Sequence, residues 1–146
     1  MKLKNIIALM RMAANRIYWC IRKGFPLRLV LCDIQFKDIP ASTYFSHPYG
    51  ITIGKGTILG EHCVIGSNVT IGTRRPFFNV DSPELPAIIE DECFLSNNCV
   101  IIGNITIGKN SIVGASAVVL QSIPQKSVVA GNPAKVIGAS NWKINF

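Results

Sequence analysis

Acidic residues are missing from the first 32 positions, and that absence sets the charge of the whole chain. Lys2, Lys4, Arg11, Arg16, Arg22, Lys23 and Arg28 stand there unopposed and equal the net charge of +7, while later charges cancel. Spanning apolar runs are lacking too. Arg11, Arg16 and Arg22 cut the N-terminal stretch well short of the about 20 residues a membrane helix needs. No small-residue cleavage site follows a clean apolar region, so no secretory leader is expected. Histidine is scarce, two in 146, with no acidic partner at ligand spacing, which argues against a three-histidine zinc site and any metal. The five cysteines are odd in number and form no CxxC pair, so neither a disulfide framework nor a zinc ribbon is indicated. Basic and aromatic residues do not interleave, and nucleic acid is not an expected partner. These exclusions leave a cytoplasmic protein. Its basic segment suits either an anionic surface at the inner membrane, a phosphorylated substrate, or simply the solvated face of a helix.

What the chain has instead is a beat of six. The stretch IGKGTILGEHCVIGSNVTIG sets Ile53, Leu59, Ile65 and Ile71 six residues apart, each followed by a glycine. Ile89, Leu95, Ile101, Ile107, Val113 and Val119 resume the beat. A period of six is neither the 3.6 of a helix nor the 2 of an ordinary strand. It fits a mainly β fold, a parallel β-helix, in which each hexad supplies a short strand and a corner and turns one aliphatic side chain inward. Three residues after the anchors come Gly56, His62, Asn68, Glu92, Asn98, Asn104 and Asn110, a column rich in residues that tolerate a left-handed backbone. Four after them come Thr57, Cys63, Val69, Cys93, Cys99, Ile105, Ser111 and Ala117, mostly small or β-branched, as a tight corner interior demands. Three of the five cysteines thereby acquire a packing role. With 49% hydrophobic and 16% charged residues, the solenoid has enough apolar surface for partner subunits to cover an outer face.

The chain suits one domain, with an N-terminal helical segment at 1–42, the β-helix at 43–138 and a tail at 139–146. Ile6, Leu9, Met10, Ala13, Ile17, Cys20 and Ile21 recur at three and four, a helical stripe that Gly24 and Pro26 end. Between Ile71 and Ile89 the sequence TRRPFFNVDSPELPAI has no glycine and three prolines, so a loop at about 73–88 is expected to leave the β-helix with the register intact on both sides. Pro124 and Pro133 are expected to stop regular coiling. The segment around them would cover the open end of the β-helix, with Trp142 and Phe146 as a packing tail.

Chemistry centres on His47. Counting back six from Ile53 lands on it, in a slot the pattern otherwise gives to an aliphatic residue. An imidazole beside a hydroxyl substrate is a natural general base, contributing about 10² to 10⁴ in rate. A satisfied structural histidine is the plainer alternative. His62 falls in the corner column, where histidine is enriched at positive φ, and is read as structural.

The stretch HPYGITIGKGTILGEHCVIGSNVTIG resembles the histidine-containing coil of the serine acetyltransferase family. IIGNITIGKNSIVGASAVVLQSIPQKSVVAGNPAKVIG resembles the C-terminal coils of hexapeptide-repeat acetyltransferases generally. The likeness covers about residues 40 to 138. It implies a left-handed parallel β-helix, a homotrimer, and acetyl transfer from acetyl-CoA to a hydroxyl, with His47 as the base that removes the acceptor's proton. Asn97, Ala115, Leu120, Gln121 and Lys135 fall where related enzymes contact coenzyme A, mostly at the cleft between subunits, and Lys135 would meet a phosphate as a point charge. Leu120 and Gln121 replace the Thr-Lys of many relatives. Structural alternatives stand beside these assignments, Ala115 as a corner filler and Asn97 as a solvated side chain.

Two departures bear on the acceptor. Ser46 stands where the serine enzymes have an aspartate before the base, and Leu85 and Pro86 stand where they have a second histidine. Asp81 or Glu84 on the same loop would replace a lost polar contact. The resemblance thus implies an O-acetyltransferase acting on a sugar hydroxyl in surface polysaccharide synthesis, with the basic N-terminal helix suited to a lipid-phosphate carrier. Serine O-acetylation is the alternative within the class, and a noncatalytic β-helical scaffold the alternative outside it.

Overall fold

The computed structural model describes residues 33–34, 39–54, 56–72 and 87–142. The expected helix over 5–23, the residues Asp81 and Glu84, and Phe146 lie outside the described residues. Strands of two to five residues alternate with corners, and the chain visits three faces in a fixed order. Face I stacks β2 (Tyr44–Phe45), β5 (Val64–Ile65), β8 (Phe94–Leu95), β11 (Ile112–Val113) and β13 (Ser127–Ala130), all parallel. Face II stacks β1 (Asp33–Ile34), β3 (Thr52–Ile53), β6 (Thr70–Gly72), β9 (Val100–Ile102) and β12 (Val118–Val119). Face III stacks β4 (Ile58–Leu59), β7 (Ile88–Ile89) and β10 (Thr106–Ile107), and a bridge from Ile107 to Ile123 extends it by one coil.

The hexad anchors explain this register. Ile65, Leu95, Val113 and Val129 follow one another as partners down face I, and each is buried. Ile53, Ile71, Ile101 and Val119 do the same on face II, and Leu59, Ile89 and Ile107 on face III. Each such burial stabilises the fold by about 1.5–3 kcal/mol, and the anchors together form one continuous core. The expected corner-interior column is buried throughout, from Thr57 and Cys63 to Ser111 and Ala117.

The corner column behaves as the residue types require. Gly56, His62, Asn68, Glu92, Asn98 and Asn110 take positive φ, joined by Ser116 and Lys126. Asn104 does not, because Gly103 one residue earlier takes the left-handed turn at φ 104°. Pro124 does not interrupt coiling either. The chain passes through it and lays β13 parallel on β11. Regular coiling ends at the turn over 131–134, after which β14 (Lys135–Ala139) reverses and pairs antiparallel with β13, covering its outer edge. Trp142 then stacks on Phe94 with ring centroids 5.1 Å apart, and its carbonyl accepts a 2.7 Å bond from Asn110 Nδ2.

Ile71 and Ile89 are eighteen residues apart yet occupy adjacent faces, where one hexad would suffice. The extra residues enter at the corner between faces II and III, and the coils on either side stay in register. A smaller insertion lies upstream. Phe45, not His47, partners Ile65, so the count of six back from Ile53 misplaces His47, which is not in an anchor slot.

Candidate active site on the edge between faces I and II

Phe45 and Ile53 are separated by eight residues, whereas the later corners on this edge need only six between anchors. The two surplus residues push Ser46–Gly50 outward, and His47 rides on that bulge with its side chain exposed. Ser46 N–H donates to Ile65 O at 3.0 Å, Tyr49 N–H to His47 O at 2.8 Å, and Asn68 N–H to Tyr49 O at 3.0 Å. The His47 and Tyr49 rings stand 6.4 Å apart at 48°. Ser46 is half-buried beside them.

The same edge continues down the prism. Asn98 N–H donates to Ser67 O at 2.8 Å and Ser116 N–H to Asn97 O at 3.0 Å, so the corner carrying Asn97 lies two coils from His47 and that carrying Ala115 three. At about 4.8 Å per coil, Ala115 is about 14 Å along the edge. Lys135 pairs with Ala130 where the next corner begins, which extends the line by one further coil. His47, Asn97, Ala115 and Lys135 therefore share one edge. Asn97 is more than a solvated side chain, since its Oδ1 accepts from Ser67 N–H at 2.9 Å and fills the space a Cβ on Gly66 would need. Leu120 and Gln121 are exposed on a different edge, between faces II and III, where the 73–86 insertion also departs. A single chain does not bring all five cofactor candidates together.

The corners Ser46–Gly50, Gly66–Asn68, Ser96–Asn98 and Gly114–Ser116 carry no charged side chain. Upstream of Phe45 the repeat is not legible in the sequence, and the register there comes from Asp33 pairing with Thr52 on face II.

The third edge, between faces III and I, collects the charge. Ser42 Oγ bonds the Glu61 carboxylate and accepts from His62 N–H at 2.9 Å. Asp91 Oδ1 accepts from Glu61 N–H at 3.0 Å, and Glu90 Oε2 from Lys109 N–H at 2.6 Å. Lys109 Nζ reaches Asp91 at 3.5 Å and Glu92 at 3.3 Å. The Glu61 amide, with Lys109 second, holds the Asp91 carboxyl below its usual range, and Glu92 raises Lys109. His62 sits here at φ 57° as a corner residue. These side chains cap the backbone of neighbouring coils, a scaffold role.

Buried Cys93 and Cys99 are equally structural. Burial pushes the Cys99 thiol up to about 12, and the Cys63 thiol together with burial raises Cys93. Cys93 Sγ donates to Gly108 O at 3.3 Å. A thiol held protonated is a poor nucleophile. Among the described residues no cluster of His, Cys, Asp and Glu is arranged to hold a metal ion.

Residues 86–121 match the sequence family described as bacterial transferase hexapeptide (six repeats), and residues 56–74 match the hexapeptide repeat of succinyl-transferase. The chain is 33% identical over 108 residues to a serine acetyltransferase of Bacillus pumilus, covering 73% of this chain and 49% of that protein. It is 40% identical over 74 residues to a 2,3,4,5-tetrahydropyridine-2,6-dicarboxylate N-acetyltransferase of Staphylococcus aureus, covering 49% and 31%. The chain thus spans about half, or less, of these curated relatives. In structure it resembles serine acetyltransferase from Vibrio cholerae O1 biovar El Tor, with TM-score 0.63, 23% identity, and coverage of 97% of this chain and 57% of that one. It also resembles the Brucella abortus enzyme in complex with coenzyme A, with TM-score 0.64, 21% identity, and coverage of 98% and 59%. Parallel three-faced coils and these likenesses identify the fold as a left-handed parallel β-helix, and the chain is similar to the serine acetyltransferase-like hexapeptide-repeat proteins.

Proposed function

We propose that this chain is an O-acetyltransferase that moves the acetyl group of acetyl-CoA to a hydroxyl acceptor, with His47 as general base. A ring nitrogen of His47 takes the acceptor's proton as its oxygen attacks the thioester carbonyl. Collapse of the tetrahedral intermediate then expels the coenzyme A thiolate, which recovers a proton. One observation carries the reading. His47 is exposed on a bulged corner, and the edge beneath it leads straight past Asn97 and Ala115 to Lys135, a track on which an extended cofactor could lie.

A homotrimer belongs to this proposal, because Leu120 and Gln121 lie on a separate edge and would face the track only from a neighbouring subunit. The substrate-side roles of Ser46, Asp81 and Glu84, a cytoplasmic location, and contact of the basic N-terminus with a membrane surface belong to it as well.

For the acceptor, the names of the relatives weigh toward serine over the sugar hydroxyl expected from sequence. A sugar remains the second reading on one observation, the lack of a charged side chain at the described corners below His47. Thiol release from acetyl-CoA, followed with serine and with a panel of glycosides, tests both. Turnover with serine far above background overturns the sugar reading, and turnover confined to glycosides overturns serine. A noncatalytic scaffold would show no turnover with any acceptor and no change in coenzyme A binding for His47→Ala.

A further inference from the structure

The Ser46–Gly50 bulge is secured at both of its ends. Its start is fixed by the Ser46 N–H bond to Ile65 O, and its end by the Tyr49 carbonyl, which accepts from Asn68 N–H. Gly50 closes the bulge at φ 65°, and the Asn68 carboxamide occupies the space beside it, such that a Cβ on Gly50 would fall 1.9 Å from Asn68 Oδ1. Asn68 is itself held in place. It takes φ 54°, and its Nδ2 donates to Asn98 Oδ1 at 3.1 Å, with Asn98 at φ 61° one coil below. The Asn98 and Asn68 side chains thus form a polar spine that ends under the bulge.

We propose that Asn68 is a positioning residue for His47. Its backbone holds the Tyr49 carbonyl, and its side chain, locked by Asn98, is the floor that sets how far the bulge can sink or swing. The inference rests on the reading of His47 as general base, and its physical content is orientation. Misplacing a reacting group by about 1 Å can cost about 10² in rate, while substrate binding elsewhere is untouched.

Asn68→Gly isolates the side chain, since glycine adopts the same left-handed backbone without strain. The expected result is a kcat lowered about 10- to 100-fold with the KM for acetyl-CoA unchanged. Asn68→Asp tolerates positive φ, keeps an oxygen beside Gly50 and accepts from Asn98 once that carboxamide turns its Nδ2 toward it, so it should recover most of the rate. A readout independent of turnover is the imidazole Cε1–H resonance. Only two histidines contribute, and His62→Gln assigns them. The His47 signal should shift or broaden in Asn68→Gly while that of His62 stays put. An unchanged kcat with an unmoved His47 signal would overturn the inference, as would a kcat loss that Asn68→Asp fails to recover while His47 is unmoved. If the wild-type protein turns over no acceptor, the proposed function fails, and the His47 resonance alone decides the role of Asn68.

Discussion

Two edges of one prism are built from the same hexads and put to opposite uses. On the edge between faces III and I, every acidic group that the structure describes in the coils meets a backbone N–H, Lys109 or a neighbouring side chain, and His62 serves as a corner. On the edge between faces I and II, the corners are uncharged, amides and small residues cap one another, and the chain spends two surplus residues to lift His47 and Tyr49 away from the coil. Both histidines are exposed. What separates them is the backbone beneath: His62 fills a turn that the repeat requires, whereas His47 sits on one that departs from it. A departure from a strong repeat costs packing and is retained where local conformation serves a site.

The largest effect should come from breaking that asymmetry at its centre. His47→Ala is expected to lower kcat by about 10² to 10⁴ with the thermal midpoint nearly unchanged, because the side chain is exposed. His62→Asn, which keeps a residue suited to positive φ, should leave kcat within about two-fold. Equal losses in the two variants, measured by thiol release, would mean that the edges are not functionally distinct.

Glycine substitutions offer a second and smaller contrast. A Cβ on Gly66 would meet Asn97 Oδ1 at 2.3 Å and Asn97 N at 2.7 Å, and one on Gly60 would meet Asp91 N at 2.5 Å and Glu90 C at 2.6 Å. Each alanine variant must move backbone in the coil alongside, an overpacking cost of about 1–3 kcal/mol. Stability should therefore drop in both. Gly66→Ala should in addition raise the KM for acetyl-CoA by displacing Asn97, and Gly60→Ala should not. Denaturant midpoints and KM values for the pair decide it. A similar KM change in both would dissociate Asn97 from the cofactor track.

Most of the coil was legible from sequence because each hexad repeats one physical demand: an inward aliphatic, then a left-handed corner, then a small residue. Ile65, Leu95 and Val113 needed no other signal. Legibility failed where the demand lapsed. Phe45 is an anchor by register but an aromatic by type, and the surplus in Ser46–Gly50 hides it, so a count of six lands on His47 instead. Asn104 yielded its turn to Gly103, a choice between neighbours that a column of residue types does not resolve. Pro124 lacks an N–H, yet it falls at a corner where the ladder takes no bond from it, and coiling continues. At the site, His47 was readable through resemblance, whereas the alignment of Asn97 and Ala115 beneath it, and the separation of Leu120 and Gln121, depend on how many residues each corner consumes. The Asn68–Asn98 bond has no sequence signal at all, since it forms between side chains 30 residues apart.

The smallest effect concerns acid. Asp91 on the charged edge accepts the Glu61 amide and faces Lys109, and both hold its folded pKa below the unfolded value of about 3.9. A group depressed in the folded state contributes stability that is present above its unfolded pKa and lost as pH falls through the folded one. The thermal midpoint of the wild type should accordingly fall more steeply below about pH 4 than that of Asp91→Asn. Asparagine keeps an oxygen for the Glu61 amide and loses only the charge, so the curves should approach one another at the acid end and differ slightly near neutrality. The pair is exposed, with side chains at 48% and 47%, so added salt should shrink the difference further. The neutral edge supplies the control. The Asn68–Asn98 amide bond carries no titrating group, and Asn98→Gly should displace the midpoint by the same amount at every pH. A pH-dependent displacement there, or identical acid slopes for Asp91→Asn and wild type, would erase the electrostatic distinction between the two edges.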